Sequence, residues 1–206
     1  MRICVQTATS FILVPDCKSV VLAVLNVDGE LLEHVDERWC KDEQVVLTAV
    51  KHCGRALRFT RLMSKLNFDI VLTAVEQDGT ALEFASEKLR QNRDIVLAAV
   101  SQEGCALRFA MVQDRDIVRA AVVQNCWALQ FAWEPEKDIV LEAVRQCGLV
   151  LQFAQDFCDE EDIVLSAVRQ NSLALEFASN RLQKLRGDCI PVQPSYLPSK
   201  RRRRTT

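Results

Sequence analysis

The sequence predicts an all-α fold: a right-handed or superhelical α-solenoid of seven short two-helix repeats with a period of 22–25 residues. Three observations predict it. One phrase recurs at Ser19, Gln44, Asp69, Asp94, Asp116, Asp138 and Asp162, at spacings of 25, 25, 25, 22, 22 and 24 residues. A fixed period of this size marks a stacked repeat array rather than one closed globule. The clearest copy, residues 94–110, reads D-I-V-L-A-A-V-S-Q-E-G-C-A-L-R-F-A, with apolar residues at helical intervals and no strand-like alternation. Finally, 49% of the chain is apolar, yet its apolar stretches, such as residues 20–25, are far too short to span a bilayer.

Residues 1–17 read as an N-terminal cap or a short strand, because Ile3, Val5 and Thr7 alternate with polar neighbours. Residues 18–189 form the array. In the unit beginning at Asp94, the aspartate stands where a helix start needs a side-chain acceptor, so it is expected to be the N-cap. Ile95, Val96, Ala99 and Val100 then share one broad helical face. Gly104 falls where a helix end often needs a left-handed residue. A second helix is expected to bury Ala106, Leu107, Phe109 and Ala110. Two helices this short are marginal alone, so each unit must bury its apolar face against its neighbours.

The period and spelling exclude other repeats. No copy contains L-x-x-L-x-L, and ankyrin and tetratricopeptide units are longer than 25 residues. Phe59, Phe84, Phe109, Phe131, Phe153 and Phe177 share one position, taken by His34 in the first repeat, and read as a core column. Eight residues follow Ala85 before the next repeated aspartate, but only five follow Ala110 and Ala132. That shortening predicts the loss of nearly one turn from the second helix, with Pro135 limiting its extension, and a narrowed or bent stack around residues 110–138. Residues 190–206 hold Pro191, Pro194 and Pro198, then Lys200, Arg201, Arg202, Arg203 and Arg204, and read as a disordered basic tail.

Charge divides the chain. Residues 1–180 carry 18 Lys/Arg and 27 Asp/Glu, whereas residues 181–206 carry 8 and 1. An acidic array repels a polyphosphate, which argues against nucleic-acid binding along it and leaves that role open only to the tail. The nine cysteines include no Cys-x-x-Cys pair, and their odd number cannot pair fully, so they read as reduced, small apolar residues. Residues 1–17 lack the long apolar centre of a secretory signal. The expected location is intracellular: cytoplasmic, with a nuclear route open through the tail, whose Lys200–Arg204 cluster resembles an import signal.

The phrase D-I-V-L-x-A-V-x-Q-x-G-x-A-L-x-F-A, best matched at residues 69–85, 94–110 and 138–154 and followed by S-E-K-L-R at residues 86–90, resembles the repeat family catalogued as domain of unknown function 4116. The resemblance covers most of the chain. It implies helical repeats in pairs, with no established activity and no catalytic residues to carry over. Cys126 and Ser172 depart from it at the glycine position, and Ser19 and Gln44 at the aspartate position.

Enzyme chemistry finds little support. The repeated aspartates are a whole repeat apart, His52 and Cys53 are merely adjacent, and no phosphate loop, nucleophile elbow or H-E-x-x-H is present. No catalytic residue, cofactor or metal is expected. The reading is a non-enzymatic scaffold for protein–protein interaction, binding a protein or peptide and no membrane. The alternative is a structural or regulatory array directed by its basic tail to the nucleus or to nucleic acid. Candidate binding positions are Gln77, Gln102, Gln124, Gln146 and Gln170, which share one column. The column also reads as a structural ladder in which each amide bonds a neighbouring loop. Arg58, Glu83 and Arg108, in the variable position before Phe, and the tryptophans Trp127 and Trp133 complete the candidate set.

Overall fold

The computed structural model describes residues 17–60 and 65–184. The expected N-terminal strand and the basic tail lie outside the described residues. The described part is an α-solenoid of seven units with no β-strand among the described residues. Each unit opens with an α-helix: Lys18–Leu25, Glu43–His52, Phe68–Gln77, Arg93–Gln102, Arg115–Gln124, Lys137–Gln146 and Glu161–Gln170. Each continues into a six-residue segment: Gly29–His34, Gly54–Phe59, Gly79–Phe84, Gly104–Phe109, Cys126–Phe131, Gly148–Phe153 and Ser172–Phe177.

These second segments are 3₁₀ helices rather than the expected α-helices. The sequence G-x-A-L-x-F suits three residues per turn. Its first and fourth residues make one row and its third and sixth make the next, so Gly54, Ala56 and Leu57 are buried while Arg55 and Arg58 face solvent. The phenylalanine column closes this face but is only half-buried, packed against the core from outside. The fully buried large side chains are instead the leucines and isoleucines, among them Leu57, Leu82, Leu107, Ile95 and Ile117. The leading helices bury the expected face, Ile95, Val96, Ala99 and Val100 in the fourth repeat.

The repeated aspartates do not cap their helices. The capping residue lies two positions earlier. Asn92 Oδ1 accepts from the N–H groups of Asp94 (3.0 Å) and Ile95 (3.2 Å), and Asn67 and Asp42 do the same in their repeats. Asp94 sits within the first turn, where a negative charge opposes the helix dipole without capping. Nor do the glycines take the left-handed conformation. The chain leaves each helix through an extended residue, such as Glu103 at φ −141° and ψ 107°, before the 3₁₀ turn begins.

The glycines answer a different constraint. A Cβ on Gly79 would strike the backbone carbonyl of Ala99 in the next repeat, and Gly29, Gly54, Gly104 and Gly148 meet Ala49, Ala74, Ala121 and Ala167 in the same way. Neighbouring repeats approach backbone to backbone at these five glycines, where a side chain would force them apart.

Shortening of the fourth and fifth repeats leaves the 3₁₀ segment at six residues and removes a third element instead. Trp39–Lys41, Glu87–Arg90 and Gln155–Phe157 are short connector helices in the longer repeats. Residues 111–114 and 133–136 hold no such helix. The core runs through all seven repeats in two bodies that meet in the fifth: Ile117, Ala121 and Ala128 belong to the first, and Val118, Val122 and Leu129 to the second. No helix among the described residues is long and apolar enough to cross a membrane.

Gly79→Ala should lower stability by about 1–3 kcal/mol, because the added methyl forces two packed backbones apart. Thermal denaturation followed by circular dichroism measures this, with the exposed Glu76→Ala as a control that leaves the melting temperature nearly unchanged.

Candidate functional site

The glutamine column lies at the last turn of each leading helix and forms bridges between repeats. Gln77 Oε1 accepts from Gly54 N–H at 2.6 Å, Gln102 from Gly79 at 2.7 Å, Gln124 from Gly104 at 2.6 Å and Gln170 from Gly148 at 2.7 Å. Each amide nitrogen donates to the backbone carbonyl at the end of the preceding helix: Gln77 to His52, Gln102 to Gln77, Gln124 to Gln102 and Gln170 to Gln146. One side chain thus satisfies a donor and an acceptor that the repeat boundary would otherwise leave bare. Gln146 makes no such bond to the preceding repeat, and the glycine position facing it is taken by Cys126.

A second set of bridges runs along the N-terminal edge of the helices. The guanidinium of Arg93, at the first helical position, reaches Asp114 (2.7 Å) and Asp116 (2.6 Å) of the next repeat. Arg115 spans Glu136 (2.8 Å) and Asp138, and Lys137 spans Glu160 (2.7 Å) and Asp162 (3.3 Å). This gives three of the repeated aspartates a role: Asp116, Asp138 and Asp162 are each one jaw of a clasp on the preceding helix. The backbone N–H of Ile117, and after it the Arg93 guanidinium, hold the Asp114 carboxyl below the usual aspartate range, while Lys18 does the same for Asp42. These partners are exposed, so each pair adds little to stability.

The variable position before Phe faces solvent throughout. Arg58 lies over the Phe59 ring at 4.2 Å and within 3.8 Å of Glu33, and Arg108 lies over Phe109 at 5.0 Å and Phe131 at 5.7 Å. Glu83 is exposed. The position just after the glycine also faces outward. It carries Arg55, Thr80 and Cys105 in repeats 2–4, then Trp127, Leu149 and Leu173 in repeats 5–7. Trp127 is 38% exposed and meets the Phe153 ring edge-on at 5.9 Å, and Leu173 is 65% exposed.

Trp133, 62% exposed, belongs to a different place. It lines an open groove of about 410 Å³ between repeats 5 and 6 with Gln113, Asp114, Arg115, Val118 and Glu134. Gln113 positions it by accepting from Trp133 N–H at 3.1 Å and donating to Phe131 O at 3.0 Å. The structure therefore separates the candidate residues into three surfaces: the glutamine edge, the 3₁₀ face with Arg58, Glu83, Arg108 and Trp127, and the groove with Trp133. The cluster Lys200, Arg201, Arg202, Arg203 and Arg204 lies outside the described residues. The role of Gln113 and the apolar row in repeats 5–7 were missed from the sequence, although that row is visible once the copies are aligned on glycine. Among the described residues, no group of three or more His, Cys, Asp or Glu side chains converges to hold a metal ion.

A family model described as "Domain of unknown function (DUF4116)" matches residues 17–61, 67–113 and 136–183, together more than half of the chain. A search of curated proteins and of solved structures found no match.

Gln102→Ala should cost about 1–3 kcal/mol, since it strands the Gly79 N–H at a buried boundary. The same change at Gln146, which lacks the bridge, should cost far less; urea denaturation of the two variants makes the comparison. Asp42 and Asp114 have folded-state pKa values below those of the unfolded chain. Their stabilisation is present above about pH 4 and is lost as the pH falls through the depressed folded values. A melting-temperature series from about pH 6 to pH 2.5 should therefore fall less steeply for Asp114→Asn than for the parent.

Proposed function

The chain belongs to the repeat family described as domain of unknown function 4116, and from that premise we propose that it is a non-enzymatic scaffold that binds another protein through its 3₁₀ face. One observation carries the reading. Successive repeats 5, 6 and 7 place Trp127, Leu149 and Leu173 at the same outward position, where repeats 2–4 carry Arg55, Thr80 and Cys105. Trp127 and Leu173 are exposed and Leu149 is half-buried between them, and apolar side chains in register at an outer surface favour a contact site. Tryptophan is the residue type most enriched where binding energy concentrates. The surrounding fixed letters hold the stack rigid, so such a partner meets a preorganised surface. Its complement is an apolar segment of a protein or peptide.

A second reading is favoured by the charge split of the chain, with 8 Lys/Arg against 1 Asp/Glu in residues 181–206. There the array is a structural or regulatory body that the Lys200–Arg204 cluster carries to the nucleus or to nucleic acid.

Capture of partners from cell extract by the parent chain, by Trp127→Ala/Leu173→Glu and by a chain ending at residue 189 distinguishes the two. The leading reading predicts that a partner held by the parent binds the double variant at least about tenfold more weakly while the truncated chain keeps it, with the melting temperature of the variant unchanged. Binding that follows the tail and ignores the double variant contradicts it.

A further inference from the structure

The boundary between repeats 5 and 6 is stitched less fully than its neighbours. The glutamine bridge is missing there, and Cys126 replaces the glycine that Gln146 would engage. A second stitch is missing too. Elsewhere the residue two beyond Phe donates its N–H to the preceding connector: Ser86 to Lys65 O (3.1 Å), Met111 to Arg90 O (2.9 Å), Trp133 to the Gln113 side chain (3.1 Å) and Ser179 to Cys158 O (2.8 Å). Gln155 makes no such bond to the connector of repeat 5. The two bodies of the core also meet in repeat 5. The N-terminal edge of the boundary remains closed by Arg115, and by Arg119 at 3.5 Å from Glu142.

Two cysteines stand on either side of the unstitched edge. In repeats 2–4 the glycine position lies against the residue preceding the next repeat's 3₁₀ segment. A Cβ built on Gly54 would sit 3.0 Å from the Asp78 Cβ, one on Gly79 3.0 Å from the Glu103 Cβ, and one on Gly104 3.1 Å from the Asn125 Cβ. At the boundary of repeats 5 and 6 these two positions are Cys126 and Cys147, and it is the only such pair among the described residues in which both are cysteine. Disulfides need Cβ atoms about 3.5–4.5 Å apart. A separation of a few tenths of an ångström beyond the other repeats reaches that range, and the missing stitches allow it. Both thiols are free and half-buried.

We propose that Cys126 and Cys147 are an oxidisable pair, joined by peroxide into a disulfide that staples repeat 5 to repeat 6. Burial pushes the Cys126 thiol up and disfavours its thiolate; oxidation is assigned to start at Cys147, and the reverse order would give the same disulfide. The Cys147 thiolate attacks one peroxide oxygen, the O–O bond breaks, and one water leaves as the sulfenic acid forms. The Cys126 sulfur then displaces the sulfenic oxygen, forming the S–S bond and releasing a second water. Two thiols lose two electrons and two protons, and one hydrogen peroxide is reduced to two waters. The disulfide takes the place of the absent glutamine bridge at the C-terminal edge of the two helices.

The test treats the full reduced chain with hydrogen peroxide, blocks the remaining thiols and maps the tryptic peptides by mass. The expected product joins the peptide spanning residues 120–137 to that spanning 146–169. It disappears in Cys126→Ser and in Cys147→Ser, survives in Cys158→Ser, and is reversed by dithiothreitol. The oxidised parent should melt at least about 5 °C above the reduced form, with no such rise in Cys147→Ser. Linkage of either residue to Cys105 or Cys158 instead, oxidation only as far as sulfinic acid, or a link without a melting shift would overturn the proposal.

Discussion

Each glycine backbone lies against the carbonyl of an alanine one repeat further on, and the spacing of the whole stack follows from that approach. The contact leaves no room for a side chain on the near partner. The glutamine at the last turn of the far helix then accepts from the same glycine N–H and donates back to the preceding helix end. With backbone distance and polar groups settled at this edge, the apolar faces of successive helices close over one another without gaps. Ile95, Val96, Ala99 and Val100 are wholly buried although their own helix has only ten residues. Such a helix is marginal alone. Its order comes from its neighbours, which is why the unit must repeat.

How much of this was legible depends on whether a residue answers to its own repeat or to the next. The helical faces were legible because burial follows periodicity within one segment. The position of the glutamine column was legible because recurrence exposes it. The purpose of the aspartates was not. An aspartate ahead of an apolar run has the spelling of a cap, and only the packed array shows Asn92 capping the helix while Asp116 and Asp138 receive a cation from the helix before. The glycine was misread for the same reason: a local turn and a contact between repeats both select it. The second helix was misread because A-L-x-F fits either period over so few residues. The shortened repeats lost their connector helix, since the 3₁₀ segment carries the contacts that hold the stack and cannot lose a turn.

Departures from the repeated phrase have structural consequences of their own. Cys126 takes the place of glycine where a bridge is missing, and the groove opens at the same boundary. Trp127, Leu149 and Leu173 put an apolar row where the other copies carry polar or small residues. Both changes fall in the C-terminal half of the array, the first on a letter the stack constrains and the second on one it leaves variable. A repeat protein gains specificity by this route: fixed positions supply rigidity, and variable ones supply contact. The acidic jaws along the opposite helix ends keep neighbouring helices aligned at little cost to stability in either direction.

The amide groups that the account depends on can be watched one by one. Native-state hydrogen exchange of the full chain reports the opening of each boundary through the N–H that the glutamine holds. The account predicts slow exchange at Gly54, Gly79, Gly104 and Gly148 and fast exchange at Cys126 in the reduced protein. A Cys126 amide as protected as the four glycines would contradict it, as would glycine amides that exchange at the rate of the exposed connectors.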